Sequence, residues 1–265
     1  MKIVDLSAPY LERFLVCLED WSAEAQEGLP RRREWFERIK DRGLCVKLAL
    51  DETDRPVGMI QSLPIEETPI AQGSGLWMIL CIWVHGYKQG VGNHQGKGMG
   101  RALLVSLEAE ARQAGAMGLA AWGLGLPFWM KASWFKKQGF VLADKQGFLG
   151  PQLVWKPFSE AAQKPRWPRA QPQPAPQPGP VRVTSFCSGF CMAENLTCER
   201  ARKAAEELGG AVEFNLVQDL AALKSQGISG GLYIDGKPVG NGPPPSADKI
   251  RRWISKAVKT KDRSS

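Results

Sequence analysis

Apolar residues first recur at helical spacing at Leu11, Phe14, Leu15 and Leu18, following Ser7 and Pro9, and this predicts a helix. A second helix is predicted from Pro30 through Trp35, Phe36 and Ile39 to a stop at Gly43. The pattern then shortens. Strands are expected at 44–50 and 57–63, with a turn over 51–56 between them. Residues 76–84 are almost continuously apolar, as in a strand covered on both faces. Between 102 and 114, Leu103, Leu104, Leu107 and Ala111 mark one face of an amphipathic helix. A strand at 117–124, a short helix at 132–138 and strands at 140–143 and 153–156 complete a mixed α/β pattern.

The periodicity stops over 159–180, where seven prolines fall between Pro165 and Pro180 among Gln, Ala and Lys. Such a stretch favours extended polyproline II and reads as a semi-rigid, Pro-rich linker. It divides the chain into a domain at 1–158 and a smaller one at 181–265. In the smaller domain, strands are expected at 181–186, 212–217, 231–234 and 237–239, and helices at 195–208, 219–225 and 246–258. The order βαβαββα is that of a small thioredoxin-like α/β domain.

Composition changes this picture little: 43% hydrophobic and 23% charged residues suit a globular chain. A net charge of +8 raises nucleic acid as a partner, but the cations are dispersed and their densest run, Arg31-Arg32-Arg33, opens a helix. The charge reads as a solvated basic surface that suits an anionic cofactor, with no nucleic-acid partner expected. No run approaches the ~18 apolar residues of a membrane span, and 1–22 interleaves acids with its apolar residues, unlike a secretory signal. A cytoplasmic, reducing location without a membrane partner is therefore expected, with the six cysteines free, catalytic or metal-binding rather than bridged. Cys17, Cys45 and Cys81 stand singly in apolar surroundings and read as core thiols.

The chemistry concentrates in Gln95-Gly96-Lys97-Gly98-Met99-Gly100-Arg101, between the buried strand and the amphipathic helix. Glycines let backbone amides approach an anion, the helix start adds partial positive charge, and Lys97 and Arg101 add full charges. This is a phosphate or pyrophosphate cradle. It lacks the Lys-Ser/Thr ending of a triphosphate loop. A dinucleotide fold would carry such a loop after its first strand, whereas here two helices and three strands precede it.

The stretch from Gln95 to Leu104 resembles the acetyl-CoA-binding motif of the GNAT superfamily of N-acetyltransferases, Gln/Arg-x-x-Gly-x-Gly/Ala. Trp134-Phe135-Lys136-Lys137-Gln138-Gly139-Phe140 resembles that family's later helix-to-strand element. Cys81-Ile82-Trp83-Val84, the loop after it and the cysteine-bearing domain together resemble the narrower YoaP-like group. The resemblance implies that the amides of Gly96, Lys97, Gly98, Met99, Gly100 and Arg101, with Gln95, hold the cofactor pyrophosphate. It implies also that edge groups of Ile82, Trp83 and Val84 pair with the pantetheine arm. Many relatives supply the proton for the departing thiolate from a tyrosine at the position of Phe135; Tyr87, in the insert 86–94, is the candidate substitute. Glu66 and Glu67 are candidate bases that would deprotonate an ammonium through water, with His85 and His94 as loop histidines able to serve near neutral pH. Tryptophans 77, 83, 122, 129 and 134 read as core or cleft wall, and the bulk around 124–134 suits an acceptor pocket.

Cys187, Cys191 and Cys198 lie within twelve residues, at a strand end and in the following helix. Three readings stay open for them: a redox site, a soft-metal site favoured by thiolates, and buried structural thiols. Cys-x3-Cys is one residue wider than the redox Cys-x2-Cys; with Cys191 at the first redox position Glu194 stands at the second, and Gly230 falls where such domains usually carry a cis-proline. Cys191 is expected to be the most reactive thiol, from its place ahead of the helix and from Arg200 and Arg202 nearby. The expected function is acetyl transfer from acetyl-CoA to an amine of a small molecule, the cysteine-bearing domain presenting substrate or sensing redox state. The alternatives are a CoA-binding sensor without transfer, and a thiol oxidoreductase or metal carrier.

Overall fold

The computed structural model describes residues 1–125, 130–148, 150–240 and 242–263. By its internal contacts the chain forms two compact units, one of residues 1–22 and 36–168, the other of residues 23–35 and 169–265. The division differs from the one expected from sequence at two places, residues 23–35 and 159–168.

The first unit is a seven-stranded sheet in the order β1-β2-β3-β4-β5-β7-β6. Its strands are β1 (Lys2–Asp5), β2 (Cys45–Leu50), β3 (Pro56–Pro64), β4 (Leu76–Val84), β5 (Gly118–Gly123), β6 (Val141–Lys145) and β7 (Gln152–Pro157). Only β4 and β5 pair in parallel, through the crossover helix α3 (Met99–Gln113). Leu103, Leu104, Leu107 and Ala111 are buried on α3 and meet Ile60, Ile79, Leu119 and Val154 of the sheet, as their spacing predicts. Strand β1 was not apparent from sequence, because four residues without a turn signal give no pattern; it pairs with β2 from Lys2↔Leu50 to Asp5↔Lys47. The first predicted helix is shorter than its periodicity: α1 covers Leu11–Leu15, and Cys17 and Leu18 take left-handed φ values of 54° and 66°. Leu18 is buried nonetheless.

Helix α2 spans Ala23–Ile39 and begins seven residues before the predicted start, with Pro30 inside it. Proline is at home in a first helical turn and costly further in, which is why Pro30 read as the beginning. What holds residues 23–35 helical is their packing in the second unit.

That unit is a four-stranded sheet in the order β11-β10-β8-β9, from β8 (Val181–Cys187), β9 (Val212–Val217), β10 (Gly230–Ile234) and β11 (Lys237–Val239). β8 and β9 are parallel; β10 runs antiparallel to β8. Helices α4 (Ala132–Lys137) in the first unit and α5 (Met192–Leu208), α6 (Leu220–Gln226) and α7 (Ala247–Asp262) in the second complete the elements. Val183, Ala201, Leu232, Ile250 and Ile254 form the centre of the second core. Glu24 and Glu27 of α2 bond Arg200 of α5 at 2.6 and 3.3 Å, Glu27 bonds Lys203, and Arg31 pairs with Glu199.

The proline-rich segment has no helix or extended strand, but it is not free of packing. Pro165 is buried, Arg166 exchanges two backbone hydrogen bonds with Gln72, and Trp167 N donates to Asp144 at 2.9 Å, all within the first unit. Within the second, Gln171 N donates to Gln226 O at 2.7 Å. Among the described residues no helix is long and apolar enough to cross a membrane.

Candidate active site

The site follows from how β4 meets its two neighbours. Its parallel pairing with β5 runs only from Leu76↔Gly118 to Ile79↔Ala121, while its antiparallel pairing with β3 continues to Val84↔Gly58. On β3, Ser62 faces Ile79 and Gln61 faces Cys81, so Leu80 is an extra residue, a bulge. A bulge turns its strand and re-aims the groups beyond it. β4 and β5 therefore part after Ile79 and Ala121. The indole N–H of Trp122 donates to Leu80 O at 3.0 Å at the fork.

Past the fork, β4 has an unpaired edge over the residues expected to bind the pantetheine arm. Ile82 N–H reaches Met130 Sδ at 3.5 Å, and Val84 O accepts from Gln95 Nε2 at 3.0 Å. Both edge groups are thus satisfied by side chains rather than by a strand. Ile82 and Val84 pack toward α3, so Trp83 lies on the opposite face of the sheet.

The glycine loop lies at the same end of β4. Gly96 and Gly98 have φ of 78° and 80°, the left-handed region glycine adopts without strain, and a Cβ on either would meet nothing within 4 Å. Gly98 caps α3, so the first-turn amides of Met99, Gly100 and Arg101 have no intrahelical acceptors. Gln95, Lys97 and Arg101 are exposed around them. A cavity of about 290 Å³ adjoins the loop, lined by Arg101, Lys137 and Lys156 against Glu108. Glu108 is held below the ordinary carboxylate range, against the cost of its burial, by bonds from Lys156 and Arg112. Cations outnumber anions in this cavity, and the arrangement can take an extended polyanion.

On the Trp83 face, Tyr87 is the centre of an aromatic cluster, its ring 5.6 Å from Trp21, 5.8 Å from Trp83 and 5.7 Å from His85. Partial burial, with Glu19 nearby, pushes the Tyr87 phenol above its usual range, so it carries its proton at neutral pH. Trp21 was not singled out by sequence; nothing local marks it. His85 is fully buried with both ring nitrogens engaged: Trp21 Nε1 donates to Nε2 at 3.2 Å, and Nδ1 meets Gly92 O at 2.7 Å. Indole is only a donor and a carbonyl only an acceptor, so His85 is a neutral ring protonated on Nδ1, a brace for the insert rather than a base. His94 Nε2 bonds Val91 O at 2.9 Å.

Glu66 and Glu67 are not brought to this site. They follow β3 at Pro64, which pairs with Trp77, at the opposite end of β4 from Val84. Seven residues of strand separate the two ends, roughly 23 Å. Glu66 accepts from Gly75 N at 2.7 Å, and Glu67 pairs with Arg42 at 3.3 Å. Phe135, where the motif resemblance leads one to expect a tyrosine, is fully buried against Phe140. Trp77, Trp122 and Trp134 border the main core, as expected of core or cleft wall; Trp129, with much of the acceptor region expected over 124–134, lies outside the described residues.

In the second unit Cys191 caps α5, while Cys187 and Cys198 are buried. All six cysteines are unbridged, with Cys45 and Cys81 in the core as expected and Cys17 only partly covered. The soft-metal reading finds no support: among the described residues no group of three or more His, Cys, Asp or Glu converges as metal ligands would. Gly230 has a physical reason where a cis-proline was looked for, since a Cβ there would overlap the Glu194 carboxyl. Arg200 and Arg202, expected to favour the Cys191 thiolate, are committed to Glu24, Glu27, Glu199 and Glu206.

No curated protein sequence matches the chain. Among solved structures, the chain is similar to ribosomal-protein-alanine N-acetyltransferase from Brucella melitensis, with 22% identity, 60% of this chain and 100% of that one covered, and a TM-score of 0.44. It is similar also to the PaiA N-acetyltransferase of Thermoplasma acidophilum in complex with coenzyme A (17% identity, 60% and 100% covered, TM-score 0.43). A third is aminoglycoside 6'-N-acetyltransferase from Enterococcus faecium (15% identity, 62% and 100% covered, TM-score 0.42). The model of the acetyltransferase (GNAT) family matches residues 10–125, which take in β2, β3, the forked strands β4 and β5, the glycine loop and α3. Residues 10–125, less than half of the chain, are therefore similar to an acetyltransferase domain of the GNAT family.

Proposed function

We propose that the chain transfers an acetyl group from acetyl-CoA to an amine of a small molecule. The observation that carries this reading is the fork of β4 from β5 beside a glycine loop that opens a helix. The fork exposes a peptide edge, and the loop offers unpartnered amides with two cations. In this reading the amides of Gly96 to Arg101 hold the pyrophosphate. The Arg101 cavity takes the nucleotide end, and the pantetheine arm displaces the side chains of Met130 and Gln95 from the edge at Ile82 and Val84. A neutral amine attacks the acetyl carbonyl, and the collapsing intermediate expels a thiolate that takes a proton. Tyr87 supplies that proton, set against the end of β4, and is restored by the proton the attacking nitrogen loses, passed through water.

The reading is tested by acetyl-CoA turnover against a panel of amines, together with calorimetry of CoA on Gly98→Val. The added side chain forces a left-handed, open position and fills the space an anion needs. CoA affinity is expected to fall at least about ten-fold, the ~1.4 kcal/mol of one good anion contact; unchanged affinity in the folded variant sinks the proposal. A second reading, CoA binding without transfer, is favoured by buried Phe135 in place of the expected tyrosine. Turnover of any amine in the panel excludes it.

For the second unit we infer a thioredoxin-like module of the YoaP-like kind. Its supports are the parallel β8–β9 pair, the antiparallel β10 and β11, and helices after β8, β9 and β11. A cytoplasmic setting belongs to the same reading.

A further inference from the structure

The second unit contains a thiol pair that acetyl transfer does not use. Cys187 is the last residue of β8, and Cys198 lies in the second turn of α5, which packs on β8. Asn195 and Cys198 share one face of α5, three residues apart. Asn195 Oδ1 stands 3.2 Å from Cys187 Sγ, while its amide donates to Gly189 O at 2.9 Å and is thereby fixed. Cys187 S–H thus donates to Asn195 Oδ1, and Cys187 and Ser185 of β8 are electrostatic neighbours of Cys198. Arg31 of α2 faces both, held there by Glu199. Glu194, bonded by Ser188 Oγ at 3.0 Å, faces them from the first turn of α5. Cys187 and Cys198 are 2% and 0% exposed.

We propose that Cys187 and Cys198 form a dithiol site that a hydroperoxide closes to an intramolecular disulfide, with Cys198 as the attacking sulfur. The polarity of the pair assigns the roles. The neighbours Cys187, Ser185 and Arg31 draw the Cys198 thiol below the ordinary range against burial, while the Cys187 S–H is given to Asn195 Oδ1. The adjacent Cys198, with burial, pushes the Cys187 thiol above its ordinary range, and the Asn195 carbonyl holds its proton. The Cys198 thiolate attacks one oxygen of the peroxide; the O–O bond breaks, leaving a sulfenic acid on Cys198 and hydroxide, which takes up the proton the Cys198 thiol gave up on ionising and leaves as water. Cys187 sulfur then attacks Cys198 sulfur, its thiol proton leaving with the sulfenic hydroxyl as water. Two thiols and one hydrogen peroxide give one disulfide and two waters. Burial of both thiols favours a small peroxide over a glutathione-sized disulfide as the oxidant.

The site is independent of acetyl transfer and is tested on the reduced full chain. Treatment with hydrogen peroxide is expected to remove the mass of two hydrogens and to yield a Cys187–Cys198 cross-linked peptide on mapping. Cys191→Ser should close at an unchanged rate. Cys187→Ser should stop at a sulfenic acid on Cys198 that dimedone traps. Glutathione disulfide should react on the order of ten-fold more slowly than peroxide. A cross-link that includes Cys191, or oxidation of Cys191 with Cys198 left as thiol, overturns the proposal. Because the wild-type map alone separates these outcomes, misfolding of a variant does not protect it.

Discussion

Tyr87 and Glu194 are each defined by what surrounds them rather than by their type. For Tyr87 the surroundings are Trp21, Trp83 and His85, packed round the ring beside the end of β4, where partial burial and Glu19 raise the phenol above its ordinary range. Tyr87→Phe keeps the ring packing and removes the proton, so kcat with the best amine should fall roughly 10²-fold while KM for acetyl-CoA holds. An unchanged kcat would assign the proton to another group. Glu194 is pushed up to about 7 by burial, against hydrogen bonds from Ser188 that lower it. Between its ordinary 4.5 and about 7 the folded carboxyl keeps a proton that the unfolded chain has released. Stability therefore falls as pH rises through that window and levels off above it, by at most about 1 kcal/mol per pH unit. Urea midpoints of the second unit across this range should show the decline, and Glu194→Gln should flatten it; a slope unaltered by the substitution would place it elsewhere. The loop from Gln95 to Arg101 was legible in sequence because its chemistry is local: glycines, cations and a helix start in seven consecutive residues. The Tyr87 cluster was not, since Trp21 meets it from 66 positions away.

At the scale of elements, the fork in the sheet rests on the one extra residue in β4. The Trp122 indole holds the Leu80 carbonyl that the bulge displaces from the ladder. Trp122→Phe should cost about 1 kcal/mol for the lost hydrogen bond, read from a chemical denaturation curve, with CoA affinity falling as the fork loosens; no change in either quantity would make the bond incidental. Continuous apolar runs announced β4 and the sequence showed where it lay, but a bulge depends on which residue faces which across two strands, and one-dimensional patterning carries no register. The same limit explains Glu66 and Glu67. Their position after a strand suggested proximity to the chemistry, and only the antiparallel pairing reveals that they sit at its far end. The start of helix α2 is hidden from local patterning for another reason, its first half being held by charges on α5, some 170 residues later.

At the scale of the whole molecule, the second unit is discontinuous: thirteen residues of α2 belong with a body made of 169–265. A fragment of 169–265 leaves Arg200, Lys203 and Glu199 without Glu24, Glu27 and Arg31. It should melt below the same unit in the intact chain, by several degrees for each ~1 kcal/mol lost; an equal melting temperature would show that α2 contributes nothing to it. A fragment ending at Pro168 should outlast one ending at Phe158, which lacks the Gln72–Arg166 bonds and buried Pro165. The shared helix also has a consequence in time. Synthesis runs from the N-terminus, so residues 23–35 emerge early, as a segment too short to hold a helix alone. Their partners on α5 emerge only when three quarters of the chain has been made. The sheet of the first unit can pair while the ribosome is still working, but these thirteen residues must wait, and a nascent chain stalled before Glu199 would expose them to proteases and chaperones.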